Sequence, residues 1–381
     1  LSYRLDVATG SFTFEGRAAD LPANVQYAWP HVSGRFLYVA SSDGAPGLGI
    51  IGERHHLSAF AVDPATGALS PHGEPVPLPA RPIHMTCDAP SRHALIAFSD
   101  PPALRVYQIA EDGRPRGEVE QREPIDPGIF PHQVRVAADN RLVILVSRGH
   151  DAKPDRPERP GMLSVFTYRD GQLTGQQRIA PDGGYGFGPR HLDFHPEGGW
   201  IYVALERQHR LDVFARVGDT VSPEMLFSRS TLESEDAVHQ HPGPGPIHVH
   251  PNGRFVYVAN RAPEILGDGH LPSYAGGGNS IVVYAIDAAT GEPTPIQHVD
   301  SGGIHCRTFQ IDPSATQLIA AHIVGLNIDG DPARFVPAGL SFFRIGEDGR
   351  LSQFRFHEIA TGGHQLFWTG MVPLSGGDGR E

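Results

Sequence analysis

Seven times along the 381-residue chain a short run of β-branched and aromatic residues follows a turn. The runs are "RFLYVAS" from Arg35, "HALIAFS" from His93, "RLVILVS" from Arg141, "WIYVAL" from Trp200, "RFVYVAN" from Arg254, "QLIAAH" from Gln317 and "QLFWTG" from Gln365. Short apolar runs bounded by Gly, Pro and Asp are strand signals. Most are followed by an alternating partner, such as "LSAFAVD" from Leu57, "LSVFTY" from Leu163 and "IVVYAID" from Ile281. A repeat of roughly 50 residues has room for four strands, and one such sheet cannot bury both of its faces alone. The pattern therefore predicts an all-β fold, a seven-bladed β-propeller spanning residues 1–381 as a single domain, with the runs above as its inner strands. The rival arrangement, two β-sandwiches, does not explain the even spacing. No helical stretch of appreciable length is expected.

The ends fit closure of a ring. The last run is followed only by "MVPLSGGDGRE", and the chain opens on "LSYRLDVATGSF", which matches the missing partner strands. The N-terminal strand is thus expected to complete the last blade and remove an open sheet edge. The same opening reads as strand and turn and not as a signal peptide. A cytoplasmic location is expected, with the periplasm as the alternative had a leader preceded Leu1. Insertions at Asp43, Gly149, Ser230 and Ala262 are expected to form the rim of a mouth.

Composition narrows function. The formal net charge of −12 argues against a nucleic-acid surface, and no apolar run is long enough for a membrane helix. Two cysteines, Cys87 and Cys306, make neither a disulfide scaffold nor a cysteine-rich zinc site, although one bridge is open to them. There is no GxSxG elbow and no P-loop, and the glycines of "GYGFGPR" follow no βαβ pattern. Neither a cofactor nor a bound metal is expected. The sequence is silent on oligomeric state.

Charged residues nevertheless gather where the runs begin and end. In "GFGPRHLDFHPEGGWIYVALER", Arg190 and His191 precede a run, and Glu206 and Arg207 follow it; Arg261 closes the next, and His132 precedes the third. Charged groups at the axis of a propeller are unfavourable unless paired or used. Ion pairs locking blades together would account for any one of them. Two arginines and a histidine around one carboxylate leave surplus positive charge, which suits an anionic ligand. His132, Arg190, Glu206 and Arg261 are therefore the candidate catalytic residues.

His84, His191, His248, His305 and His364 also precede runs, and together with Arg207 they are candidate substrate-binding residues. A ring of imidazoles could hold a metal. However, His84 lies six residues before Pro90, His191 five before Pro196, His248 three before Pro251 and His305 eight before Pro313. With a period of two in a strand these cannot all share one direction, so some are expected to be structural.

The units "P-x-H…P-x-G-R-F-x-Y-V-A-N" and "S-V-x-V-F…T-G", and above all "GPRHLDFHPEGGWIYVALE" from Gly188, resemble the lactonase-type seven-bladed propellers. That family includes bacterial 6-phosphogluconolactonases and fungal 3-carboxy-cis,cis-muconate cyclases. The resemblance implies that His132, Arg190, Glu206 and Arg261 form the active site. It implies a small anionic lactone or dicarboxylate as substrate. As a lactonase, Glu206 or His132 would be general base and the arginines would hold the oxyanion or a substrate anion. As a cycloisomerase, His132 would protonate carbon while the arginines bind carboxylates. A non-enzymatic binding platform is the third reading; it would call for an apolar top face, whereas the mouth loops are rich in Gly, Pro and charge. "RQHRLDVF" from Arg207 departs from the family's usual small polar stretch, which leaves the exact substrate open.

Overall fold

The computed structural model describes residues 1–45, 50–234, 243–261, 265–266, 273–274, 278–328 and 334–374. The chain divides into two compact units, Leu1–Tyr185 with Gly370–Glu381, and Gly186–Thr369. Among the described residues the only helical segment is the 3-10 turn Pro181–Gly184. The fold is all-β and of propeller type: six antiparallel sheets of the up-and-down kind follow one another along the chain.

Three of these blades lie in the first unit. The first has strands Asn24–Pro30, Phe36–Ser42, His55–Val62 and Leu69–Pro71, with Val76–Pro77 also on the third strand. The second has Pro82–Cys87, His93–Ser99, Pro102–Ile109 and Pro115–Glu118; the third has Pro131–Val136, Leu142–Ser147, Met162–Arg169 and Gln172–Ile179. The second unit holds the fourth blade, Pro189–Phe194, Trp200–Leu205, Arg210–Val217 and Thr220–Ser230. It also holds the fifth, Gly243–Val249, Phe255–Arg261, Ser280–Ile286 and Pro293–Asp300, and the sixth, Cys306–Ile311, Gln317–His322, Gly339–Ile345 and Leu351–Glu358.

One expectation is corrected. The apolar "YVA" runs are the second strand of each blade, and the first strands are innermost, packing on one another from blade to blade within each unit. The reason is burial. A run that is apolar on both faces has a neighbouring blade on each side and so sits inside its sheet. An innermost strand has an open edge, which its polar residues and opening prolines suit.

The core lies between facing blades. Tyr38, Leu57, Met85 and Ile96 fill the gap between the first and second blades, and Val134, Val143, Leu145 and Phe166 join the third to the second. In the second unit Tyr202, Ile247, Val256 and Tyr284 join the fourth and fifth blades, and Tyr257, Ile281, Phe309 and Phe343 join the fifth and sixth.

The repeated "F/W-x-Y-V-A" text has a specific cause. Tyr38, Tyr202 and Tyr257 are fully buried, and each hydroxyl donates to a glycine carbonyl in a turn of the following blade: Gly113, Gly291 and Gly349, at 2.9, 2.9 and 3.0 Å. These glycines have φ of +82, +74 and +80°, and an added Cβ would stand 2.3–2.4 Å from the ring of Phe36, Trp200 or Phe255. The aromatic two residues before each tyrosine occupies the space that the missing side chain leaves.

The N-terminal segment forms a separate hairpin, Ser2–Asp6 with Ser11–Gly16. Gln365–Gly370, expected as an inner strand, has no ladder. Leu366 N–H donates instead to the Ile323 carbonyl at 2.9 Å. The insertion from Gly149 is described and is drawn together by bridges between His150 and Arg159 and between Lys153 and Arg156. The rim expected from the insertions at Asp43, Ser230 and Ala262 falls partly or largely outside the described residues. No helix among the described residues is long and apolar enough to cross a membrane.

Candidate active site

One local distortion recurs in all six blades. Against the second strand, the first strand carries one extra residue, between Val25 and Tyr27, Pro82 and His84, Pro131 and Gln133, Pro189 and His191, Pro244 and Ile247, and Cys306 and Thr308. Such a bulge re-aims the side chain it carries. The bulged residues are Gln26, Ile83, His132, Arg190 and Arg307, with Gly245 and Pro246 sharing the position in the fifth blade. Two residues before His132, Arg190 and Arg307 the backbone turns left-handed, at Phe130, Gly188 and His305, with φ of +56, +51 and +58°.

The second strands supply the opposing groups. Glu206 N–H donates to the Gly188 carbonyl at 2.9 Å, and Arg261 pairs with Gly243, the same register one blade later. Arg148 N–H meets the Phe130 carbonyl in the corresponding place of the third blade, at 3.0 Å.

Within the second unit these positions converge. Arg190 Nε lies 3.3 Å from Glu206 Oε1, and an Arg261 terminal nitrogen donates to the same oxygen. Arg190 is 3% exposed and Arg261 8%. His191 adds its Nε2 at 3.5 Å from an Arg190 nitrogen. Gly245 makes room for Arg261: a Cβ there would stand 2.4 Å from Arg261 Nε. Among the described residues that Nε has no hydrogen-bond partner. Two guanidiniums thus meet on one carboxylate oxygen of the half-buried Glu206.

The remaining candidates are placed differently. Arg207 packs over Gly188, where a Cβ would stand 2.4 Å from its Cγ. His248 Nδ1 lies 3.6 Å from Asp193 Oδ2, which also accepts from Val249 N–H at 2.9 Å, so this pair ties the fourth blade to the fifth. His305 is the left-handed residue before Arg307, and His364 is exposed in a turn beyond the sixth blade. In the first unit His132 is buried beside Phe130, and His84 is buried with its ring centroid 3.9 Å from that of Tyr27.

The histidines therefore share no common register: His132 is bulged, His84 and His191 follow a bulge by one residue, His248 lies further along, and His305 precedes one. His195 and His250, in the "HP" turns, bond the carbonyls of Gly253 and Ala315 in the following blades and are structural. Among the described residues no group of three or more His, Cys, Asp or Glu is arranged to hold a metal ion. Cys87 and Cys306 are buried free thiols, and burial pushes Cys306 up to about 12.

Reading the sequence run by run missed Arg307, Arg148 and Arg81. Burial of Arg81 lowers its guanidinium to about 10. Aligning "FPHQ", "GPRH" and "HCRT" at their third residue places His132, Arg190 and Arg307 in one column.

A protein-family comparison agrees with the all-β propeller type of these sheets. Residues 1–328 match the family described as "Lactonase, 7-bladed beta-propeller". The chain is 25% identical over 331 residues to the 6-phosphogluconolactonase of Bacillus subtilis, covering 84% of this chain and 83% of that one. It is 26% identical over 313 residues to the 6-phosphogluconolactonase of Enterobacter sp. strain 638, covering 82% and 81%. The solved structure of the periplasmic gluconolactonase of Pseudomonas aeruginosa superposes with a TM-score of 0.69 at 21% identity, covering 94% of this chain and 91% of that one, a likeness of fold. The family match spans most of the sequence, and the chain belongs to the lactonase family of 7-bladed β-propellers.

Proposed function

We propose that this protein hydrolyses an anionic sugar lactone at Arg190, Glu206 and Arg261. The observation that carries the reading is the sharing of one half-buried Glu206 oxygen by two guanidiniums. The relatives' activity, phosphogluconolactone hydrolysis by name, supplies the substrate class.

Flanked by two cations, Glu206 is held ionised, which suits a base and not an acid. Glu206 takes a proton from water as the water oxygen bonds to the lactone carbonyl carbon. The carbonyl oxygen becomes an oxyanion, and Arg190 or Arg261 stabilises it through charge-assisted hydrogen bonds. The ring C–O bond then breaks, and the departing alkoxide recovers the proton to give the hydroxy acid. His132, bulged in the third blade as Arg190 is in the fourth, is assigned a proton-transfer role. The other candidates, His84, His191, Arg207, His248, His305 and His364, are assigned at most to substrate contact.

The reading includes a single ring of seven blades, with the N-terminal hairpin completing the last. Inclusion of Gly370–Glu381 in the same unit as Leu1 supports it. The cycloisomerase and binding-platform readings gain nothing from the relatives named above.

The test is proton release from 6-phosphogluconolactone and from aldonolactones, corrected for spontaneous hydrolysis, with Glu206→Gln alongside. Acid release that depends on Glu206 supports the proposal. Silence on every lactone with loss of the 3-carboxy-cis,cis-muconate chromophore replaces it with cycloisomerisation.

A further inference from the structure

We propose that Arg207 is a positioning residue: its aliphatic stem, with the Gln208 amide beside it, fixes the segment Gly186–Phe187–Gly188 and so the bulge that aims Arg190 at Glu206. The proposal rests on the lactonase reading above.

The first ground is what the segment lacks. Gly186 and Gly188 both take a left-handed φ, +68 and +51°. Glycine gives up more conformational freedom on ordering than any other residue, so the segment does not hold this path by its own preference. The path matters, because Gly188 stands two residues before the bulged Arg190. In the third and sixth blades the same place holds Phe130 and His305, each with a side chain of its own. In the fourth blade the place is bare, and Arg207 borders it. A Cβ at Gly188 would stand 2.7, 2.4 and 2.6 Å from Arg207 Cβ, Cγ and Cδ. A long charged side chain packs in this way through its carbons, whatever its head group meets.

The second ground is the source of the other restraints. Glu206 N–H donates to the Gly188 carbonyl and Gln208 Nε2 to the Gly186 carbonyl, both at 2.9 Å. Between these carbonyls Phe187 is 1% exposed, with its ring edge-on to Phe214 at 6.5 Å between centroids. Three consecutive residues, Glu206, Arg207 and Gln208, therefore hold the two glycines. Their own turn is closed by Gln208 N–H on the Leu205 carbonyl at 3.3 Å. It is anchored beyond by the left-handed His209, whose carbonyl accepts from Thr231 N–H at 2.8 Å.

The third ground is the consequence for the site. The carboxylate of Glu206 and the two residues that brace the arginine strand are neighbours in sequence, so one turn sets both sides of the Arg190–Glu206 pair. Arg190 Nε lies 3.3 Å from Glu206 Oε1, and a shift of Gly188 moves one against the other. A displacement of about 1 Å at reacting groups can cost roughly a hundredfold in rate.

The experiment compares wild type with Arg207→Ala, which removes the stem, Arg207→Met, which keeps the stem and removes the charge, and Gln208→Ala. Arg207→Ala is also combined with Arg190→Lys. Turnover is measured on 6-phosphogluconolactone and on gluconolactone, and hydrogen exchange is followed at the Glu206 amide and at the amides of Trp200–Leu205. Arg207→Ala should lower kcat about tenfold or more, alike on both lactones. Arg207→Met should stay close to wild type, and Gln208→Ala should fall between the two. In the Arg190→Lys background Arg207→Ala should add little, because it acts through Arg190. Exchange of the Glu206 amide should quicken in Arg207→Ala and not in Arg207→Met, with the Trp200–Leu205 amides unchanged. Equal losses in Arg207→Met and Arg207→Ala, a loss confined to the phosphorylated lactone, or full additivity with Arg190→Lys would overturn the assignment. If wild type turns over no lactone, the exchange result decides alone: local quickening in Arg207→Ala keeps the positioning role while hydrolysis fails, and unchanged exchange removes both. Should Arg207→Ala not fold, Gln208→Ala, whose bond is exposed, is read by the same exchange.

Discussion

Arg261 lies across the face of Gly245, in space that any side chain at that position would take: an added Cβ would stand 2.4 Å from Arg261 Nε. The fifth blade thus leaves its own bulge position empty and fills it with the guanidinium of its second strand, which reaches Glu206. Gly245→Ala should push Arg261 off that oxygen while leaving the blade ladders in place. We expect kcat/KM for the lactone to fall about a hundredfold, the usual consequence of losing one oxyanion donor. Full activity in a folded Gly245→Ala protein would mean that Arg261 takes no part.

His132 is tested by His132→Asn, which retains a polar group of similar reach but cannot move a proton near neutral pH. Loss of a positioned acid–base group lowers kcat by roughly 10²- to 10⁴-fold. A change confined to KM would instead make His132 a binding residue.

The tyrosine locks predict a purely structural effect. Tyr202→Phe removes the hydroxyl that satisfies the Gly291 carbonyl in a buried setting. Leaving a buried acceptor unsatisfied costs about 1–3 kcal/mol. Urea unfolding should show that loss, with lactone turnover by the remaining folded protein retained.

Two buried groups give opposing pH dependences. Burial raises Asp212 to about 6 and lowers His322 to about 4. Folded Asp212 holds a proton that the unfolded chain has released, so its contribution to stability falls as pH rises from about 4 to 6. His322 stays neutral when folded, so its contribution falls as pH drops from about 6.5 to 4. Each is worth about 3 kcal/mol at most, at 1.36 kcal/mol per pH unit. Asp212→Asn should therefore expose a steep loss of stability in acid, and His322→Gln the reverse slope, both measured as unfolding midpoints across pH 4–7. Parallel profiles in the two variants would contradict these assignments.

The strand repeat, the turn glycines and the aromatic–tyrosine pairs were legible because each is local text. Phe36 and Tyr38, Trp200 and Tyr202, and Phe255 and Tyr257 stand at the same spacing in three of the copies, and burial on both faces demands an unbroken apolar run. The proximity of Arg190, Glu206 and Arg261 was legible too, since all three flank the same kind of run. Their register was not. In a strand the side-chain direction reverses at every residue, so one bulged residue decides whether His132 or Gln133, Arg190 or His191, Arg307 or Thr308 takes the aimed position. A bulge has no composition of its own; it exists only as a mismatch between two strands once they pair. For the same reason the run-by-run reading took the most apolar strands as innermost and the histidines as a set. Only the paired strands showed that the first strand lines the inside, that His248 belongs to Asp193, and that Arg307 shares the place of Arg190.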